Sequence, residues 1–290
     1  MTTEAISPEL AAQIQDFIER ALAEDVGGRD HTSQACIPAD DRSTARLLVK
    51  DPGILAGVAI AERVFKHVDP TSTMKIYLRD GQYMSYGEIA FEVSCNTRAL
   101  LMAERVVLNT MQRMSGIATL SNRFKFEIED LPVKILDTRK TTPNLRFIEK
   151  WAVRLGGCHN YRDGLYDRIM IKDNHIDACG SIEGAIEQVH AYLKKNNLDL
   201  PITIEVRNLV ELYEVLTVGG VHRIMLDNFE LPIMAEAVAT INNKYETEAS
   251  GGVNIHTVRK IAQTGVNYIS VGALTHSASS LDLSLKIVKD

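Results

Sequence analysis

"VKILDTRK", residues 133–140, is a short apolar run that ends abruptly in charge. A helical stretch follows, "LRFIEKWAVRLGG" (145–157), and the alternation then repeats. "RIMIKDNHI" (168–176) leads to "SIEGAIEQVHAYLKKN" (181–196), and "PITIEVRN" (201–208) to "LVELYEVLTVGG" (209–220). "RIMLDNF" (223–229) leads to "LPIMAEAVATINN" (231–243), "YETEASGG" (245–252) to "NIHTVRKIAQTG" (254–265), and "YISVGALTH" (268–276) closes the series. Strand runs recurring with helices between them predict parallel strands joined by right-handed crossovers. Roughly six such units predict an incomplete (β/α) barrel, with an open doubly wound sheet as the competing arrangement.

Upstream of this region the rhythm is different. "SPELAAQIQDFIERALAED" (7–25) reads as a helix with Ser7 as its cap, Pro8 in its first turn and Leu10, Ile14, Phe17 and Ala21 on one apolar face. "STARLLVKDPGILAG" and "MKIYLRDGQYMSYGEIAFEVSCN" read as strands broken at Asp51-Pro52-Gly53, Asp80-Gly81 and Tyr86-Gly87. "TRALLMAERVVLNTMQRMSGIATLSNRFKFEI" (97–128) has a long helical pattern with a break expected near Ser115-Gly116. The mixture is α+β and predicts a smaller domain packed around one sheet.

Composition narrows the function classes. The 290 residues carry a net charge of −6, which argues against a nucleic-acid footprint, so any anion site is local and built against the overall charge. Cys36, Cys95, Cys158 and Cys179 are scattered without a CxxC pair, as expected of reduced thiols in a cytoplasmic protein. No signal-peptide pattern opens the chain, and no apolar run approaches the roughly 18–20 residues of a membrane span. Neither HExxH, GxGxxG nor GxxxxGK[ST] occurs. The expectation is a soluble protein with no nucleic-acid or membrane partner.

In a (β/α) barrel the loops after the strands converge on one mouth. The strand ends are polar throughout: Asp137, Arg139 and Lys140; Lys172 and Asp173; Glu205 and Arg207; Asp227 and Asn228; Glu248 and Ser250; Gly272. "SGG" (250–252) and "VGALTH" (271–276) are small-residue turns after the last strands, a recurrent place for phosphate. Glu205 and Asp227 suit a magnesium ion that in turn holds a diphosphate. Arg139, Lys140, Arg162 and Lys172 would face negative oxygens, with guanidinium forks matched to carboxylates. These residues predict a phosphorylated, magnesium-bound substrate and a second, carboxylate-bearing one. They do not identify the reaction.

Other residues read more simply. Lys172 as a Schiff-base lysine would make an aldolase-like enzyme but leave the cation excess unexplained. Trp151, Met102, Met111 and Met114 read as packing, His175 and His276 as hydrogen-bonding groups, and Cys158 has no base beside it to make it a nucleophile.

The chain resembles the quinolinate phosphoribosyltransferase family, also called nicotinate-nucleotide pyrophosphorylase (carboxylating). The likeness runs through "EDVGGRDHTS" (24–33), "AERVVLNTMQRMSGIAT" (103–119), "DTRKTTPNLR" (137–146), "RDGLYDRIMIKDNH" (162–175), "IEVRN" (204–208), "RIMLDNF" (223–229), "EASGG" (248–252) and "ISVGALTHS" (269–277). It implies an N-terminal α/β sandwich domain over 1–115, joined by the C-terminal segment 277–290, and a barrel of fewer than eight strands over 116–276. It implies transfer of phosphoribosyl from phosphoribosyl diphosphate to quinolinate with loss of carbon dioxide, giving nicotinate mononucleotide for NAD biosynthesis. A homodimer or larger homo-oligomer, with Arg105 reaching a neighbouring subunit's site, is also implied.

By the same resemblance Arg139, Lys140, Arg162, Lys172 and Tyr161 would meet quinolinate. Lys140, Lys172, Glu205 and Asp227 would be catalytic, with Glu205 and Asp227 on the Mg2+ and ribose side. Ser250, Gly251, Gly252, Val271, Gly272 and Ala273 would hold the phosphates. The chain departs from the family pattern twice: Tyr161 stands where a His usually precedes the arginine, and Thr203 where a first glutamate is frequent. The first departure motivates two rivals, a sister pyrophosphorylase acting on another aromatic acid and a non-catalytic ligand sensor, while the second is tolerable with Glu205 as the magnesium-side ligand.

Overall fold

The computed structural model describes residues 6–288. Its contacts divide the chain into two units. The first gathers residues 6–122, 147–157 and 278–288; the second gathers 123–146 and 158–277.

The first unit opens with helices α1 (Pro8–Val26) and α2 (His31–Cys36). Ser7 caps α1, its hydroxyl accepting from the Leu10 N–H at 3.2 Å. The buried stripe of α1 is Ile14, Ile18 and Leu22, rotated slightly from the expected face. Strands β1 (Arg42–Val49) and β2 (Gly53–Ile54), helix α3 (Val58–Val68), strands β3 (Thr73–Ile76), β4 (Tyr83–Met84) and β5 (Ile89–Asn96), and helix α4 (Thr97–Phe126) follow. The chain's last strand returns here: in chain order it is the twelfth, Leu283–Ile287, and it pairs antiparallel with β1, Leu285 opposite Leu47. The resulting antiparallel sheet runs in the order last strand, β1, β5, β3.

Helix α4 is unbroken across Ser115 and Gly116, where a break was expected. Gly116 serves a close approach instead: a Cβ there would lie 2.0 Å from the Ser279 carbonyl oxygen. The preceding Ser115 hydroxyl accepts from the Ala56 N–H at 3.0 Å. A helical glycine costs about 1 kcal/mol, which these tertiary contacts offset.

The second unit carries β6 (Lys134–Leu136), β7 (Ile169–Ile171), helices α6 (Asp173–Cys179) and α7 (Ile182–Asn196), β8 (Ile202–Val206), α8 (Leu209–Val218), β9 (Arg223–Asp227), α9 (Leu231–Ile241), β10 (Glu246–Ser250), α10 (Val258–Ala262), β11 (Tyr268–Ser270) and α11 (Ala273–His276). Helix α5 (Arg146–Leu155), which lies between β6 and β7 in the chain, belongs almost wholly to the first unit. It carries Trp151, buried as packing requires.

The six strands of the second unit form one parallel sheet in the order β6, β11, β10, β9, β8, β7. The first strand therefore pairs with the last, as in a barrel, yet β6 and β7 do not meet. A seam stays open between them. Only a single bridge, His159 to Leu136, extends the sheet into it. The fold is an incomplete (β/α) barrel, not a closed one. All five residues of β8 are buried, as are four of five in β9, which is why these strands read as continuous apolar runs.

Candidate active site

At the C-terminal ends of the parallel strands lies a cavity of about 820 Å³. The loop after β6 supplies Thr138, Arg139 and Lys140, the open seam supplies Tyr161 and Arg162, and the end of β7 supplies Lys172. Glu205 enters from β8, Asp227 from β9, Ser250, Gly251 and Gly252 from the turn after β10, and Gly272 and Ala273 from the turn after β11. Cations, carboxylates and glycine turns thus share one hollow.

One residue expected on this lining does not reach it. Val271 is fully buried, and its N–H donates to the Leu136 carbonyl at 2.9 Å. The β6–β11 pairing continues one residue past Ser270, so the turn that lines the cavity starts at Gly272 and Val271 supports it from beneath. Arg105 stands exposed on α4, where its Nη2 lies 2.9 Å from Glu104 Oε1.

Neighbouring groups fix the lining. Arg146 ties down the loop after β6: its Nη1 donates to the Asp163 carbonyl at 2.7 Å and its Nε to Thr141 Oγ1 at 3.0 Å. The Lys140 carbonyl accepts from Thr275 Oγ1 at 2.8 Å. Asp137 is fully buried and orients the seam, accepting from the Tyr161 N–H at 2.8 Å and from the Asn160 amide. Asp137, read at a strand end, is scaffolding, as is Arg146.

On the opposite wall, Asp227 Oδ1 accepts from the Ser250 hydroxyl at 2.6 Å and Oδ2 from Asn228 Nδ2 at 2.7 Å. Both carboxylate oxygens are held in one orientation. Gly251 is required twice over: its φ is +92°, and a Cβ would lie 2.1 Å from Asn228 Oδ1. Glu205 Oε2 lies 3.1 Å from Lys172 Nζ. His175 is committed to its own turn, its Nδ1 accepting the Lys172 N–H at 2.9 Å. Arg207, read at a strand end, pairs with Glu211 at 2.6 Å instead.

The electrostatics are those of an anion site. Burial, reinforced by the Arg139 charge, lowers the Arg162 pKa from the usual guanidinium value. An incoming carboxylate would relieve that repulsion. Tyr161 is pushed up to about 12 by burial and then by the nearby Glu248 carboxylate, so it stays a neutral hydrogen-bonding group. Its hydroxyl lies 2.8 Å from Thr203 Oγ1. Glu248 does not reach the mouth, contrary to the strand-end reading. Fully buried, it accepts from Arg223 Nη1 at 3.0 Å and from the Ser270 hydroxyl at 2.5 Å. Cys158 is likewise no nucleophile: burial first of all raises its thiol to about 12.

Sequence reasoning missed Met170, Met225 and Ser270, which also line the cavity. The signal was present. Each stands two residues before a recognised lining residue (Lys172, Asp227 and Gly272), and alternate residues of a strand share a face.

Among the described residues no group of three or more His, Cys, Asp or Glu side chains is arranged to hold a metal ion. Two carboxylates in one cavity still fit an ion that completes its shell with phosphate oxygens and water, the usual habit of magnesium.

Comparison with known proteins covers nearly the whole chain. Residues 30–115 match the family model of the quinolinate phosphoribosyl transferase N-terminal domain, and residues 117–286 that of the C-terminal domain. The chain is 46% identical over 289 residues to quinolinate phosphoribosyltransferase [decarboxylating] 1b of Nicotiana tabacum, covering 94% of this chain and 82% of that one. It is 40% identical over 275 residues to the probable nicotinate-nucleotide pyrophosphorylase [carboxylating] of Bacillus subtilis, covering 95% and 93%. The crystal structure of NadC from Streptococcus pyogenes superposes with a TM-score of 0.91 at 37% identity, covering 99% of this chain and 100% of that one.

Proposed function

This chain belongs to the quinolinate phosphoribosyltransferase family, and from that premise we infer that it transfers phosphoribosyl from phosphoribosyl diphosphate to quinolinate with decarboxylation. The products are nicotinate mononucleotide, diphosphate and carbon dioxide, in the biosynthesis of NAD. One observation carries the assignment to this cavity: Arg139, Lys140, Arg162 and Lys172 share it with Glu205, Asp227 and the Ser250–Gly252 turn. A dianionic acid and a diphosphate ester are the pair of substrates that this division of charge suits.

In this reading Arg139, Arg162 and Lys172 hold the two carboxylates of quinolinate, with Tyr161 giving an uncharged hydrogen bond. Arg105 of a neighbouring subunit completes the set in a homodimer. The backbone of Gly251, Gly252, Gly272 and Ala273 receives phosphate. Asp227, fixed by Ser250 and Asn228, meets the ribose side. A bound magnesium ion, held by Glu205 and Asp227 with the diphosphate, would supply charge neutralisation.

The ring nitrogen forms its bond to the ribose carbon as the bond to diphosphate breaks, and the sugar carries positive charge in between. Positioning and preorganised charge supply catalysis, with Lys140 and the turns facing the departing diphosphate. The alkylated nitrogen then becomes the electron sink. The bond between the ring and its neighbouring carboxyl breaks, carbon dioxide departs, and a proton replaces it on the ring carbon.

The plant relatives include chloroplastic and mitochondrial proteins. For this chain a cytoplasmic setting is proposed, supported by four free cysteines. Incubation with quinolinate, phosphoribosyl diphosphate and magnesium tests the whole reading. Nicotinate mononucleotide and carbon dioxide should form in equal amounts; their absence from folded protein would turn the assignment toward another acid or a binding role.

A further inference from the structure

We propose that the open seam of the barrel holds a second anion site, sized for one phosphoryl group and opening at the N-terminal ends of the strands. A cavity of about 320 Å³ lies there, separate from the one at the mouth. Lys134 and Tyr268 are the first residues of β6 and β11, Arg223 is the first of β9, and Arg168 immediately precedes β7. All four line this cavity. It exists because β6 and β7 do not pair, and the segment between them fills the gap only in part.

The charge balance points to an anion. The lining holds Lys134, Arg162, Arg168 and Arg223 against one carboxylate, Asp167. Asp167 is already engaged, accepting from the N–H groups of Asp163 at 2.8 Å and Gly164 at 2.9 Å. Arg223 is neutralised from behind by Glu246 at 2.7 Å and Glu248 at 3.0 Å. Among the described residues Lys134, Arg162 and Arg168 form no ion pair. His159, also on the lining, is held below the usual imidazole pKa by burial and then by Lys134 and Lys125. A chain of net charge −6 has gathered a positive hollow here, and such a concentration of cations draws an oxyanion to it.

The hollow is built, not a loose surface patch. Arg223 lies over the Tyr268 ring at 3.7 Å from its centroid, and Arg223 and Arg168 each lie 5.2 Å from the centroid of Tyr161. Rings that hold guanidinium groups in place preorganise them for an oxyanion. Tyr161 and Arg162 line both this cavity and the one at the mouth. An occupant of the seam would therefore compete for Arg162 and weaken the hold on an acid at the mouth. The phosphoryl group could be free phosphate or the phosphate of a mononucleotide; both share this chemistry.

The test is equilibrium dialysis of labelled inorganic phosphate against the whole protein, with and without saturating phosphoribosyl diphosphate. In the presence of phosphoribosyl diphosphate one phosphate per chain should remain bound. It should be lost, with at least a tenfold weaker Kd, in the double variant Lys134→Gln/Arg168→Gln. The single variant Lys134→Gln alters an exposed side chain and serves if the double variant does not fold; it should weaken binding at least threefold. Repeating the titration with adenosine monophosphate distinguishes the sources: tighter binding than phosphate marks a mononucleotide, equal or weaker binding marks the free ion. Complete displacement by phosphoribosyl diphosphate, or phosphate binding unchanged in the variants, would overturn the proposal. Because dialysis reads binding and not turnover, a failed activity assay leaves this result interpretable.

Discussion

The hydroxyl of Tyr161 lies 2.8 Å from the hydroxyl of Thr203, so the two positions read in the sequence as departures from the family's usual pattern are in contact with each other. Thr203 is fully buried on β8, and no charged partner could replace it there without cost. The two departures form one unit. A double-mutant cycle of Tyr161→Phe and Thr203→Val should show a coupling of about 0.5–1.5 kcal/mol in urea denaturation, the size of a net hydrogen bond. Additive single changes would mean that each hydroxyl has another, stronger partner. In the assay, Tyr161→His should stay within about tenfold of the parent, since positioning and not charge is asked of this group.

The Arg139 charge adds to the electrostatic cost of Arg162 in the free protein, a cost that a bound dianion would reverse. Arg139→Ala should weaken quinolinate binding by about 1.5–3 kcal/mol, the range for hydrogen bonds to charged groups. Phosphoribosyl diphosphate binding should change far less. Calorimetric titrations with each substrate alone would decide it, and equal losses for both would remove Arg139 from the acid's side of the cavity.

What could be read in the chain, and what could not, follows from how local each signal is. Parallel strands buried on both faces leave largely apolar runs, so β6 through β9 and β11 were legible one by one, whereas β10 has a single apolar residue and is placed only by the recurrence of the units around it. Their polar C-terminal residues followed from the barrel rule, and Lys172, Glu205 and Asp227 do share one cavity. Gly116 misled because its purpose is a contact with Ser279, 163 residues away, which local pattern cannot contain. Glu248 misled for a related reason. It stands two residues before Ser250 and faces the same way, but its partners Arg223 and Ser270 come from neighbouring strands and keep it beneath the mouth. The open seam was not legible at all, because nothing in a strand pattern says which pair of strands fails to meet.

Glu205 keeps its ion pair with Lys172 inside the cavity, and only 10% of its side chain is exposed. Glu205→Gln removes the charge and preserves the shape. Turnover should fall by roughly 10²-fold or more, the scale of one preorganised electrostatic group. Quinolinate affinity should not weaken, because Lys172, proposed to hold the acid, loses a competing carboxylate at 3.1 Å. A loss confined to quinolinate affinity would place Glu205 on the wrong substrate.

Acid should strike the first unit through Asp69. The Thr71 hydroxyl above all, then the Asn96 and Thr71 N–H groups and Arg42, lower its pKa to about 2. A carboxylate with a depressed folded pKa contributes stability above its unfolded value and loses it as pH falls through the folded one. Asp69 should therefore stabilise the fold fully above about pH 4–5 and progressively less toward pH 2. Asp69→Asn should lower Tm at pH 7 and flatten the dependence of Tm on pH between 5 and 2. An unchanged slope in that window would assign the acid limb to other carboxylates.

The two glycines after β10 should respond differently to the same change. Gly252 has φ of +61° with open space for 4 Å around the place a methyl would take, so Gly252→Ala meets only the backbone preference, about 1 kcal/mol. Gly251 has φ of +92°, and its added methyl would press on Asn228 at 2.1 Å. Relief must come from Asn228, which donates to Asp227 Oδ2, so the strain passes directly into the Asp227 carboxylate, proposed to meet the ribose. Gly251→Ala should cost about 1–3 kcal/mol of stability and, beyond that, weaken phosphoribosyl diphosphate binding at least tenfold in calorimetry. Asn228→Ala in the Gly251→Ala background separates the two effects. It removes the clash but not the lost bond to Asp227, so stability should partly return while affinity does not. Full recovery of affinity would show that the turn's own backbone, and not the orientation of Asp227, is what the ligand requires.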